Sequence, residues 1–483
     1  MQLSTPRRVL TACAVAAIGL LVATAAAQQI PIKVGGGGPP IQTGSGTTTS
    51  SGTVITAARM PGVVVVPPSS VALPADRGKK AHTNFSYIAP GAGPASSSFP
   101  PPFSGYPYET PGSLACLYRI APVSSSACNP LNTALPVATG GSQKIAIVDA
   151  FDDPEAAADL AYYSDQFGLP FSVSKFNVYQ VPSQFGYYGG VDFSGGWEIE
   201  ESLDIEMAHA MAPNATIWLF ESYDNTYTEL LRTVQTAINW IQCGNLTQTP
   251  LACGSVTGKG EISMSWGGGE FLSETAFDST FNTSNSANVV FFASAGDSPG
   301  PIYPSTSPYV VAVGGTTVSR SQTTGNFLHE VVWSDGGGGV STVEPVPTFQ
   351  SSNAAVHAIV GSHRGTPDVS AVANPYTGVY VYDTFPQDLY YYGDWWIIGG
   401  TSASSPIWAG IVNNAAGQAG GAFAANTQAE LTKIYNNLTV PASYAANFRD
   451  INYGVCGYYM GATAVANWDI CSGAGAPQGF AGK

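Results

Sequence analysis

Between residues 144 and 313, short apolar runs alternate with stretches of helical periodicity, and that alternation leaves a chain few ways to fold. Residues 144–148, 215–220, 262–265, 289–293 and 309–313 read as buried strands, with 171–178 a further strand-like run. Residues 154–167, 200–211 and 226–241 read as helices, the first opening on proline, and 275–285 as a weaker one. Strands alternating with helices make a parallel sheet covered on both faces, so the expected class is α/β. After Gly314 turns and aromatics become more frequent, and helical periodicity returns at 402–416 and 428–436. With no internal repeat, one large domain from 105 to 483 is the simplest account of this region.

The N-terminus has the layout of a secretory signal. Arg7 and Arg8 precede an apolar run over 9–22 and a small-residue cleavage site at Ala25-Ala26-Ala27, which makes 1–27 the expected signal peptide. The apolar run is short for a membrane anchor. Residues 28–104 are rich in Gly, Pro, Ser and Thr and are expected to form a largely disordered leader or linker, with a small pro-segment as the alternative. Cys13 leaves with the signal, and the other six cysteines fall into near pairs: Cys116 with Cys128, Cys243 with Cys253, Cys456 with Cys471. An even number in a secreted chain reads as disulfides, although spacing alone does not fix their connectivity. Glycosylation triplets occur at Asn84, Asn214, Asn245, Asn282 and Asn437. Charged residues make up 10% of the chain, and 32 acidic against 17 basic residues give a net charge of −15. Such a surface argues against nucleic acid or an anionic membrane as partner and suits work in acid, where fewer carboxylates have to be solvated. A monomer is expected.

Gly399-Gly400-Thr401-Ser402 leads into an apolar helix, which puts Ser402 where unpaired N–H groups favour negative charge. The pattern suits a nucleophilic serine and equally an ordinary helix cap. Glu200 and Asp204 stand four apart within an acidic run that is unusual in so charge-poor a chain. On a helix they share a face. If that face is enclosed, one carboxyl is driven to keep its proton, as general acid/base work requires; if it is open, the run is a solvated surface. None of the five histidines stands in a His-Gly-Thr setting, and His209 follows nine residues after Glu200. A serine without a histidine needs another base, and a carboxylate can serve. Ser265-Trp266-Gly267 and Gly296-Asp297-Ser298 each follow a predicted strand, at the end where parallel sheets carry their sites. Alone, Asp297 reads as a turn residue.

Taken in order, Glu200-x-x-x-Asp204, Ser265-Trp266-Gly267, Gly296-Asp297-Ser298 and Gly400-Thr401-Ser402-x-x-x-Pro406 resemble the sedolisin family of serine-carboxyl peptidases. Segments 108–118, 337–341 and 365–371 agree, so the resemblance runs from about 105 to the C-terminus. It implies a subtilisin-like parallel sheet flanked by helices and a secreted, acid-acting endopeptidase with protein or peptide substrates. Ser402 would be the nucleophile, Glu200 the general base, Asp204 its tuning partner and Asp297 the oxyanion aspartate. Asp149 would extend the carboxyl network. The resemblance also implies a structural Ca²⁺ held by Asp450, Ile451, Val465, Asn467 and Asp469. The family usually has glycines where this chain has Val465 and Asn467. Members commonly carry a folded pro-domain well over a hundred residues long, and the region 28–104 does not look like one. A catalytically silent relative acting as a binding or surface protein is the alternative. The tyrosines between 376 and 392 either line a cleft or belong to the core.

Overall fold

In the strand Lys144–Ala150, side chains alternate between two hydrophobic clusters. Ile145 and Ile147 pack towards Ile205, Ala208 and Ala212, while Ala146 and Val148 pack towards Leu230, Val234 and Ile238. A strand buried on both faces needs a covering layer on each side, and the helices Trp197–Met211 and Tyr227–Cys243 supply them. The structure is a computed structural model that describes residues 63–88, 101–103, 106–122, 125–193, 195–282, 284–385, 395–418, 421–457 and 462–483. The expected signal peptide, 1–27, lies outside the described residues.

The central sheet runs, in spatial order, Phe327–Val332, Val311–Arg320, Val289–Ser294, Gly260–Met264, Lys144–Ala150, Thr216–Ser222 and Phe176–Val181. Val369–Val372 also pairs with Val311–Arg320. All pairings are parallel except that of Phe327–Val332 with Val311–Arg320. From Lys144–Ala150 the chain builds first towards Phe176–Val181 and later towards Gly260–Met264, so the order reverses beside the central strand. Open α/β sheets place their sites at the carboxyl ends of the strands around such a reversal. The helix Thr401–Gly417 starts at this end, runs along one face of the sheet and packs on Trp197–Met211. The α/β class and the parallel sheet flanked by helices are as expected. The core also claims Tyr380 and Tyr382 from the tyrosine-rich stretch, while residues 386–394 lie outside the described residues.

The largest departure concerns residues 63–88, which composition assigns to a disordered leader. They are folded onto the body. Ser86–Ile88 pairs antiparallel with Trp395–Gly399 and with Val64–Val65, and His82–Thr83 pairs antiparallel with Trp266–Gly269. Ala81, Phe85 and Ile88 are buried. The segment has no core of its own. Its order comes from sheet edges supplied by distant parts of the chain, which local composition does not reveal. Smaller departures are the 154–167 helix, which starts at Ala156, the 171–178 strand, which starts at Phe176, a 3₁₀ turn Glu274–Thr280 in place of a helix, and an additional helix Pro111–Leu117.

The three disulfides are Cys116–Cys128, Cys243–Cys253 and Cys456–Cys471. Behind the sheet, Arg364 is fully buried and paired with Asp368 at 2.5 Å, and Asp368 also accepts from Tyr435 Oη at 2.7 Å and Ala312 N at 2.8 Å. Removing one partner of such a pair leaves an uncompensated buried charge. Arg364→Ala is expected to lower stability by about 3–5 kcal/mol in denaturant titrations at constant pH.

Candidate active site

Gly400 has φ of +126°, which side-chain-bearing residues rarely adopt, and a Cβ there would collide with Asn84 O, Phe85 Cα and Asp297 Oδ2. The turn therefore has to be glycine. It delivers Thr401 and Ser402 to the first turn of the helix. Thr401 fixes Asp297: its N–H and its hydroxyl both donate to Asp297 Oδ1 at 2.8 Å, and its Oγ1 accepts from Gly296 N at 3.0 Å. Gly337 N donates to Gly296 O at 2.7 Å, so the glycine run after 336 braces the Asp297 turn from behind. Pro406 stands four residues after Ser402 and has no N–H to give to the Ser402 carbonyl. The Ser265 hydroxyl lies 3.1 Å from that carbonyl and 2.8 Å from Asp204 Oδ1, linking the serine helix to the acidic helix.

The acidic helix Trp197–Met211 is buried along its whole length, so its run of carboxylates is no solvated face. Burial, then the neighbouring Asp204 and Asp149, push the Glu200 carboxyl well above its ordinary range, and the Ser402 hydroxyl opposes that rise. Burial and Asp149 likewise raise Asp204. Burial raises Asp149 to about 8. The structure thus brings together Ser402, Glu200, Asp204 and Asp297, with Asp149 behind them. Among the described residues, neither Glu200 oxygen has a well-aligned hydrogen-bond donor, although the Ser402 hydroxyl and Asp204 lie beside it. The Ser402 hydroxyl instead donates to Ser265 O at 3.1 Å and accepts from Asn84 N at 3.0 Å. A hydroxyl held beside an enclosed carboxyl, at a helix N-terminus, can be deprotonated and can attack a carbonyl whose oxygen faces Ser402 N and Asp297. His209 points elsewhere. It packs edge-on to Phe171 with ring centres 6.1 Å apart, and burial lowers it to about 4.

Sequence reasoning missed two features. One is a second group of buried acids continuous with the first: Asp153, raised by burial to about 8, Glu221, raised by burial to about 9, and Glu201 between them. Glu201 was visible in the acidic run, but the other two come from separate strand ends. The other is the segment 81–85, which covers Ser402 so fully that the residue has no exposed surface. Nothing in its composition marks it. It also removes one glycosylation candidate, because Asn84 is buried with its amide on Ser294, and Asn437 is buried too.

At the C-terminal end, the Asp450 carboxylate accepts from Asn467 N at 3.1 Å and Tyr444 Oη at 3.0 Å. Asp469 accepts from Val465 N at 2.9 Å and from Cys471 N and Ser472 N at 2.8 Å. Ser472 Oγ lies 3.3 Å from Ile451 O. Asn467 has φ of +70°, so it takes the left-handed conformation usual for glycine. The expected donors are therefore tied into one loop, and no salt bridge among the described residues neutralises either aspartate.

Comparison with known proteins points the same way. No family model matches the chain. The architecture matches the solved structure of Pseudomonas sedolisin, a serine-carboxyl proteinase complexed with two molecules of pseudo-iodotyrostatin. The TM-score is 0.58 at 23% identity, over 77% of this chain and 96% of that one. Kumamolisin from Bacillus sp. (strain MN-32) is 31% identical over 307 residues, covering 58% of this chain and 49% of its own length. Sedolisin from Pseudomonas sp. (strain 101) is 32% identical over 186 residues, 36% of this chain and 28% of its own. The fold is thus a subtilisin-like parallel sheet flanked by helices. Over part of its length the chain is similar in sequence to kumamolisin and sedolisin, and these relatives support a place in the sedolisin family. The chain spans about half the length of kumamolisin and less of sedolisin.

The buried acids dictate how stability responds to pH. Each has a folded pKa above its unfolded value, so between the two the folded state binds more protons. Stability is then full below about pH 4 and falls as pH rises towards the values near 8 and 9 of Asp149, Asp153 and Glu221. Calorimetry should show Tm dropping by roughly 10 °C or more between pH 4 and pH 8. Asp153→Asn should flatten the fall.

Proposed function

We propose that the protein is a secreted, acid-acting serine-carboxyl endopeptidase that hydrolyses peptide bonds through an acyl-enzyme on Ser402. Glu200 takes the serine proton, Asp204 and Asp149 hold and tune Glu200, and Asp297 with Ser402 N stabilises the oxyanion. The observation that carries this reading is the convergence of the Ser402 helix N-terminus with enclosed carboxyls and no histidine. The family relationship supports the same reaction class. A carboxylate can act as base in acid, where histidine is already protonated. Asp297 must carry a proton to donate to the oxyanion, which also favours acid. Glu200, Asp204 and Asp149 repel one another when charged, so the cluster shares its protons, and one member can ionise while its neighbours keep theirs. The N-terminal signal pattern, the disulfides and the absence of a membrane-crossing helix among the described residues agree with secretion.

We further propose that the C-terminal loop binds Ca²⁺. Asp450 and Asp469 with the carbonyls of Ile451, Val465 and Asn467 would supply the hard oxygen donors that Ca²⁺ takes, and the glycine-like φ of Asn467 answers the missing glycine. Bound Ca²⁺ would neutralise the two aspartates and hold the loop. One observation favours the second reading, a silent binding protein: Ser402 is wholly covered by the chain itself.

With residues up to the cleft removed, hydrolysis of a denatured protein should peak between about pH 3 and 5. Ser402→Ala and Glu200→Ala should abolish it, and Asp297→Ala should lower kcat by about 10²–10³. Activity that peaks near neutrality and survives Glu200→Ala would reject the mechanism. No activity at any pH, with calcium present, would favour the silent protein. Chelation should lower the Tm of wild type measurably, and should have no further effect on Asp469→Asn.

A further inference from the structure

The segment over Ser402 is bound as an extended chain crossing the site, and its register identifies one peptide bond. On one side His82 and Thr83 pair antiparallel with Gly267 and Trp266. On the other, Ser86 and Tyr87 pair antiparallel with Gly399 and Ile398. Two strands from opposite walls thus hold the flanks, as when a sheet edge recruits a peptide, and Asn84-Phe85 spans the gap between them. Ser402 brackets Asn84: its N–H donates to Asn84 O at 3.0 Å, and its hydroxyl accepts from Asn84 N at 3.0 Å. The missing Cβ of Gly400 would fall against both Asn84 O and Asp297 Oδ2, so that carbonyl sits where the oxyanion donors meet. The Asn84 side chain turns inward, and its Nδ2 donates to Ser294 Oγ at 2.8 Å. Ser294 ends the strand Val289–Ser294, just before the Asp297 turn, and is fully buried.

We propose that Asn84–Phe85 is a scissile bond of this protein's own active site, and that Ser294 selects substrates with an amide side chain, asparagine first, immediately before the cleaved bond. The proposal rests on the serine-carboxyl reading above. In the reaction, Ser402 Oγ bonds to the Asn84 carbonyl carbon and its proton passes through Glu200 to the leaving nitrogen of Phe85 as the C–N bond breaks. Water then attacks the ester, giving the Asn84 carboxylate and restoring the Ser402 hydroxyl. An aliphatic side chain at this position leaves the buried Ser294 hydroxyl without its partner, and an aspartate brings a charge into the same enclosed space. One buried hydrogen bond of this kind corresponds to a preference of about tenfold.

The test uses the full chain and a quenched peptide carrying Ala81 to Ile88, with Asn, Asp, Ala or Leu at the Asn84 position. Wild type held near pH 4, the ordinary carboxyl range, should yield a new N-terminus at Phe85 by mass spectrometry, and Ser402→Ala should not. The peptide should be cut between Asn and Phe, with kcat/KM about tenfold above the Ala version. Ser294→Ala should bring that ratio within about twofold while Ala-peptide cleavage continues. Cleavage of denatured casein together with a different N-terminus, a different peptide bond, or a ratio unmoved by Ser294→Ala overturns the assignment and leaves the peptidase reading standing. If neither casein nor peptide is cut at any pH, both fall.

Discussion

The arrangement depends on one costly packing event: the acidic helix Trp197–Met211 lies wholly inside the protein, with Glu200 and Asp204 turned towards the N-terminus of the Ser402 helix. Buried carboxyls without cationic partners are tolerated when they keep their protons. That condition ties the fold to acid, because the same burial that shapes the site raises Glu200, Asp204 and Asp149 together. A histidine base would fit poorly here. His209, on the same helix, is already held down to about 4 by burial.

The second constraint is the turn before Ser402. Gly400 lets the chain enter the helix at a φ closed to other residues, Thr401 clamps Asp297, and Pro406 leaves the Ser402 carbonyl to Ser265. These contacts make a rigid unit from the ends of three strands and one helix. The segment around Asn84 reads that unit from the outside, placing a peptide carbonyl against Ser402 N and its side chain against Ser294. The sheet edges flanking the site accept an extended chain on both sides of one bond, and here they have accepted the protein's own.

Much of this was legible in the sequence because the determinants are local. Two-sided burial makes apolar runs, so the strands Thr216–Ser222 and Val289–Ser294 fall within a residue or two of expectation. The helices Tyr227–Cys243 and Thr427–Asn437 begin at side-chain caps, Thr226 and Asn426. The ordered motifs around Glu200, Ser265, Asp297 and Ser402 also come together at one end of the sheet. What was not legible is what depends on distant partners. Residues 63–88 fold because the strands at 266–269 and 395–399 offer them edges to pair with. Asp153 and Glu221 join the carboxyl group only once separate strand ends meet at one end of the sheet. The strand Val311–Arg320 extends well past its apolar start because it gains a parallel neighbour first and an antiparallel one later.

The most direct test of the central claim is to catch the covalent intermediate. A slowly deacylating peptide ester, turned over in acid, quenched in stronger acid and followed by peptide mapping, reports which atom carries the acyl group. The account predicts one acyl group on the fragment containing Ser402, accumulating in wild type and absent from Glu200→Ala. An acyl group on another residue, or one on Ser402 that forms equally well without Glu200, would contradict it.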